Sequence, residues 1–155
     1  MAETDSEAAA ANTEKYLIFT ILGSYYTFPS RFISEVTAFE KVYPLPLMPS
    51  YVKGIINRYS VPYALIDIGF LIRETPTPES KVIVLKDTMD KLAILIDDVV
   101  DIIDIPDSAL LKVEQGADRD VVADIIESSF AWHDTHVFVL GIRQILNRVK
   151  TDFEA

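Results

Sequence analysis

A mainly β chain folded as two small barrels of similar topology is what these 155 residues predict, and three observations carry the prediction. Apolar runs of strand length, rich in Val, Ile and aromatic residues, recur between turn signals: YLIFTIL, VPYALI, KVIVL, LAILI and VFVL. A polar, proline-stiffened linker, Arg73–Ser80 (RETPTPES), divides the chain into comparable halves. The halves also echo each other. Lys15–Leu22 and Lys81–Lys86 each open a half with an apolar strand, a turn and a return strand, and Leu65-Ile66-Asp67-Ile68 and Val139-Leu140-Gly141-Ile142 each end a strand at a helix start.

Taken in order, residues 1–14 are small, acidic and alanine-rich, with nothing to bury, and read as a disordered tail. Tyr16–Leu22 is a strand, Gly23-Ser24 a turn, and Tyr25–Phe28 a return strand interrupted by Pro29. Arg31–Phe39 reads either as a helical face or as a bulged strand. Val42–Pro49 carries Pro44, Pro46 and Pro49 and is an extended connection. A short helix is expected at Tyr51–Lys53, ended by Gly54, followed by strands Ile55–Tyr59 and Val61–Ile66, which Pro62 prevents from being continuous. Asp67 caps a helical turn through Phe70 and Leu71. In the second half, Lys81–Lys86 and Leu92–Ile96 form a hairpin across Asp87–Asp90. Asp97–Asp107 is a strand with a bulge, ended by Pro106. Its acids recur every third residue as on a helix, but its apolar residues are all Val or Ile. Ser108–Leu111 is a helical turn capped by Asp107, residues 113–120 are loop, Val121–Phe130 is strand, and Ala131–Thr135 is a turn. Val137–Leu140 is strand, and Ile142–Val149 is a closing helix with Ile142, Ile145, Leu146 and Val149 on one side.

Composition narrows the function classes. Half the residues are hydrophobic, enough for a real core, and there is no cysteine for a disulfide or thiolate metal site. The net charge of −10 and pI near 4.5 oppose binding to nucleic acid or anionic lipid. No apolar run approaches the roughly 20 residues of a membrane span. Glu3, Asp5 and Glu7 stand where a secretory signal has basic residues, so a cytoplasmic protein is expected.

Little in the sequence supports catalysis. His133 and His136 flank Asp134, but no third ligand is indicated, and the segment reads as a solvated turn rather than a metal site. The acids of 97–107 lack the central glycine and terminal glutamate of an EF-hand loop. Nucleotide-binding glycine motifs and a Gly-x-Ser-x-Gly elbow are absent. No cofactor or metal is expected. A small hydrolase using the aspartates of 97–107 is the enzymatic alternative. Replacing Asp98 and Asp101 by Asn separates it from an adaptor, since only catalysis needs those protons.

Gly54, Asn57 and Asp67, with an apolar strand between the last two, lie in a stretch that resembles the bacterial chemotaxis coupling proteins of the CheW type. In that family the stretch runs Gly-x-Ile-Asn-Leu-Arg-Gly, then an apolar strand with Pro, then Asp-Leu. Here Tyr59 stands where the family has arginine, Ser60 replaces the following glycine, and the proline comes two residues early. The resemblance spans about Tyr16 to Asn147 and extends to Ile94-Leu95-Ile96-Asp97, Ile105-Pro106 and Val137–Leu146. It implies two five-stranded SH3-like β-barrels in tandem, with short helices and a C-terminal helix. The domain would be single and cover 15–150: a first barrel over 15–72, the linker 73–80, a second barrel and closing helix over 81–150, and room for strands to swap. It further implies a non-enzymatic adaptor with two partners, the regulatory domain of the chemotaxis histidine kinase and the cytoplasmic signalling tip of chemoreceptors. The family's groove positions fall on Ile33, Glu35, Lys53, Asn57 and Tyr59. Arg58 sits one residue from the family's arginine, where strand alternation points it to the opposite face. An SH3-like adaptor of a related signalling pathway is the nearest alternative.

Overall fold

The computed structural model describes residues 12–86, 90–112 and 124–154. Among them are eleven strands: β1 Thr13–Ile21, β2 Ser24–Pro29, β3 Ile33–Ala38, β4 Val52–Arg58, β5 Val61–Ile66, β6 Lys81–Leu85, β7 Leu92–Ile96, β8 Asp98–Pro106, β9 Leu111–Lys112, β10 Ile126–Trp132 and β11 Thr135–Leu140. Two α-helices, α1 Ile68–Arg73 and α2 Ile142–Glu154, follow β5 and β11. The protein is mainly β, with two β-subdomains and a C-terminal helix.

One sheet has the order β8-β1-β2-β11-β10-β9 and the other β3-β6-β7-β5-β4. Each is organised around a hairpin, β1–β2 or β6–β7. Each adds a parallel neighbour on one side, β11 on β2 and β5 on β7, and an antiparallel edge on the other, β8 on β1 and β3 on β6. Every subdomain therefore takes its central hairpin from one half of the chain and its flanking strands from the other. Strands are thus exchanged across the linker, so each sheet draws on both the 15–72 and the 81–150 segments.

The exchange follows an approximate internal two-fold. Bulges recur at matching places: after Ile33 on β3 and after Val99 on β8, after Val52 on β4 and after Ile126 on β10. Matching backbone bonds lead into the two helices, Asp67 N–H to Tyr51 O and Gly141 N–H to Ile125 O.

Strand alternation sorts the core into three layers. Tyr16, Ile18, Phe130, Val137 and Val139 fill one subdomain, and Ile56, Tyr63, Leu65, Val82, Val84, Ala93 and Leu95 fill the other. The opposite faces of β1, β2, β6 and β7 (Leu17, Phe19, Ile21, Phe28, Ile83, Leu85, Ile94, Ile96) meet in a larger shared core, closed by Ile145 and Leu146 of α2. Strands buried on both faces read as continuous apolar runs, and this is why KVIVL and LAILI are unbroken. The apolar side expected for α2 is the side that packs: Ile145 and Leu146 are buried, with Ile142 and Val149 against the same core. Tyr51 Oη donates to Asp152 Oδ2 at 2.6 Å and so fastens the far end of α2 to the start of β4.

Several expectations need correction. β1 begins at Thr13, so Thr13 and Glu14 belong to the sheet and not to the tail; residues 1–11 lie outside the described residues. Tyr51–Lys53 is not a helix. β4 starts at Val52, and its bulge at Lys53 supplies the break in pattern that resembled a helical turn. Arg31–Phe39 resolves into a short 3-10 turn, Ser30–Phe32, and the bulged strand β3. The linker is not wholly solvated. Thr77 is buried, and both its N–H and its hydroxyl donate to Asp67, which also caps α1 at Phe70 N–H. The turn after β8 starts at Asp107 itself, with no side-chain cap. β8 is the bulged strand ending at Pro106 that its Val and Ile content predicted. Of the strand expected over Val121–Phe130, residues 124–125 are helical instead, and the strand begins at Ile126. The loop 113–120 and most of the turn at Asp87–Asp90 lie outside the described residues.

Candidate functional site

The six residues singled out from the sequence lie on the two edges of one sheet. β3 carries Ile33 and Glu35; β4 carries Lys53, Asn57 and Arg58 and hands over to Tyr59. These strands are four places apart in the sheet order, yet the sheet curls until its edges meet. Arg58 Nε donates to Glu35 Oε1 at 2.8 Å and Nη2 donates to Glu35 Oε2 at 3.0 Å, a two-pronged pair across the seam. The Arg58 hydrogen bond holds the Glu35 carboxyl below its ordinary range, and the same bond raises Arg58.

The corner next to this pair is a two-residue hairpin. Arg58 and Val61 close it, and Tyr59 and Ser60 form it, with φ of 51° and 66°. Positive φ at both central residues is the type I′ requirement, which matches the twist of the flanking strands. Neither residue is Gly or Asn, so each pays about 1 kcal/mol for its conformation. The Tyr59 ring is 84% exposed, with the Arg58 guanidinium 5.1 Å from its centre. Pro62 is tolerated because β5 pairs with β7 only from Ala64 onward.

Gly54 sets the near end of the seam. Tyr43 bridges to Ile55 by two backbone bonds of 2.8 and 2.9 Å, which lays the connecting segment along the β4 edge. A Cβ on Gly54 would stand 2.2 Å from Tyr43 O, and its φ is 143°. Gly54 therefore serves close approach and a bulge rather than helix termination. Between Tyr43 and Arg58 the seam opens as a cleft of about 250 Å³, lined by Thr37, Phe39, Ile56 and Asn57 among others.

The structure does not gather all six residues into one surface. Glu35, Asn57, Arg58 and Tyr59 lie together at the seam. Lys53 sits at the other end of β4, on its bulge, and pairs with Glu79 at 3.7 Å. Ile33 is half-buried and packs against the shared core. Glu35 and Lys53, both expected as groove positions, each carry an internal partner. Sequence reasoning missed the Glu35–Arg58 pair, because which two edges meet depends on sheet curl, and no local pattern reports it.

The second half has a matching corner. Trp132 and Thr135 close it, and His133 and Asp134 form it, with φ of 46° and 60°. The Trp132 ring lies 4.5 Å from His133 and 5.9 Å from Tyr25.

The aspartates of β8 face solvent; Asp98 pairs with Lys81 and Asp104 with Lys15. The Lys81 bond keeps Asp98 below the ordinary carboxylate range, the wrong direction for a proton donor. Among the described residues no cluster of His, Asp and Glu could hold a metal ion, and no helix is long and apolar enough to cross a membrane.

Comparisons with known proteins agree with this architecture. Residues 15–150 match the family described as CheW-like domain. Comparison with curated protein sequences gives no match. Among solved structures, the chain is similar to the scaffolding protein TtCheW from Thermoanaerobacter tengcongensis, with a TM-score of 0.73 and 17% sequence identity. The match covers 83% of this chain and 89% of that one.

Proposed function

This chain belongs to the CheW-like domain family, and from that premise we propose that it is a non-enzymatic adaptor that couples chemoreceptors to a chemotaxis histidine kinase. The observation that carries the reading is the seam corner. Arg58 is spent inside the protein, bound to Glu35, while Tyr59 projects from the fold. A family member that kept an arginine for its partner would leave that guanidinium free at the corner. This one presents an aromatic ring on a rigid type I′ turn. Tyr59 is then the anchor for a helical receptor tip laid along β3 and β4, with Asn57 beside it. Tyrosine suits such a role, giving large contact area at low side-chain entropy cost. Departure from arginine also favours a second reading, an adaptor of a related signalling pathway with a different receptor.

The test is calorimetric titration with the regulatory domain of the cognate chemotaxis kinase and with a receptor-tip hairpin, for the native chain and for Tyr59→Arg. Binding of both partners by the native chain is the expected result. Kinase binding alone, with receptor binding gained in Tyr59→Arg, moves the protein to the second reading. Binding of neither partner contradicts the coupling role.

A further inference from the structure

The two corners share a backbone but not a charge. Arg58 closes the first corner and Trp132 closes the second at the same register position, one residue before the paired positive-φ turn. Glu35 lies just past the β3 bulge, and Asp101 holds the matching place past the β8 bulge. In the first corner the set is complete: carboxylate, guanidinium and aromatic ring are bonded to one another. In the second, Asp101 keeps the carboxylate's register position and the rings remain, while among the described residues no guanidinium stands at the corner. Trp132 takes its place, half-buried, with Tyr25 and His133 against it in edge-on contacts. Asp101 is exposed, and among the described residues its Oδ1 accepts from the neighbouring Ile102 N–H alone. Asp134 stands in the turn, also exposed. Among the described residues no Lys or Arg lies over the Trp132 or Tyr25 ring, and neither Asp101 nor Asp134 has an ion-pair partner.

We propose that the Tyr25–Trp132–His133 cluster, with Asp134 in its turn and Asp101 at the register position that matches Glu35, is a docking site for an arginine side chain on a basic segment of a partner protein. Tryptophan is the strongest aromatic acceptor for a cation, and a planar guanidinium stacks on it better than an ammonium does. The net charge of −10 draws a basic segment toward the surface, and the two carboxylates fix its end. The site is separate from the seam and does not depend on the adaptor reading.

Trp132 is the single tryptophan of the chain, so its fluorescence reports on this site directly. The full chain is titrated at low and physiological salt with a blocked Gly-Arg-Gly-Arg-Gly peptide and with its lysine and citrulline versions. The expected result is a saturable change with the arginine peptide, at least about threefold weaker with lysine and absent with citrulline. Asp101→Asn and Asp134→Asn each weaken arginine binding about threefold or more, whereas Glu74→Gln, the same charge change at the end of α1, leaves it unaltered. Unchanged thermal midpoints show that the variants remain folded. A non-saturable signal, an equal response to citrulline, or equal weakening by Glu74→Gln overturns the proposal.

Discussion

At the Arg58–Val61 corner the closing residue reaches sideways, ties two sheet edges together and leaves an aromatic ring outside. At the Trp132–Thr135 corner the closing residue is itself the aromatic ring, packed with Tyr25 and His133. Backbone, bulges and register are shared. One scaffold thus supports two different surfaces, because type I′ geometry and strand pairing constrain the main chain while leaving the closing side chains free. The same divergence runs through the interior. Gly54 has Ser128 as its counterpart, and Asp67 has Gly141.

The largest effect expected from breaking this comparison is at Gly54. Gly54→Ala drives a Cβ into Tyr43 O and should cost roughly 3 kcal/mol or more, whereas Ser128→Ala at the matching position should cost about 1 kcal/mol or less. Urea unfolding of the pair decides it; equal losses would mean the two bulges are not used differently. Next is the helix entry. Asp67→Ala orphans Phe70 N–H, Thr77 N–H and the Thr77 hydroxyl, and should cost roughly 2–4 kcal/mol. It should also expose the linker to proteolysis. At Gly141 the atoms nearest an added Cβ belong to the movable Gln144 side chain, so Gly141→Ala should cost under about 1 kcal/mol.

The smallest effect is the seam pair. Glu35→Gln should cost about 1 kcal/mol at neutral pH, since the pair is two-pronged yet partly solvated. Because folding lowers the Glu35 pKa, its contribution is present above the ordinary carboxylate value and lost as pH falls through the lowered one. Native and variant stabilities should therefore converge in acid. A gap that persists there would assign the loss to packing instead of charge.

Much of the fold was legible in the sequence because burial writes itself into periodicity. Unbroken Val/Ile runs marked the doubly buried strands β6 and β7. Apolar residues that are all Val or Ile marked β8, against the helical period of its aspartates, and the spaced apolar residues after Gly141 marked α2. Periodicity reports which face is covered and not by what. The burial of Thr77 on Asp67 and the meeting of β3 with β4 were accordingly out of reach, and strand exchange across the linker came only as an allowance that the family resemblance implied. The candidate residues were named one by one, without their geometry. Glu35 and Arg58 were named separately, with nothing local to show that each is the other's partner, and Ile33 and Lys53 belong elsewhere in the fold.

The most direct test of the central claim is titration of a receptor-tip hairpin into two variants, Tyr59→Ala and His133→Ala, which truncate equivalent turn positions. Loss of roughly tenfold or more in affinity for Tyr59→Ala, with His133→Ala unchanged, is what the account predicts. Equal affinities, or a loss confined to His133→Ala, would contradict it.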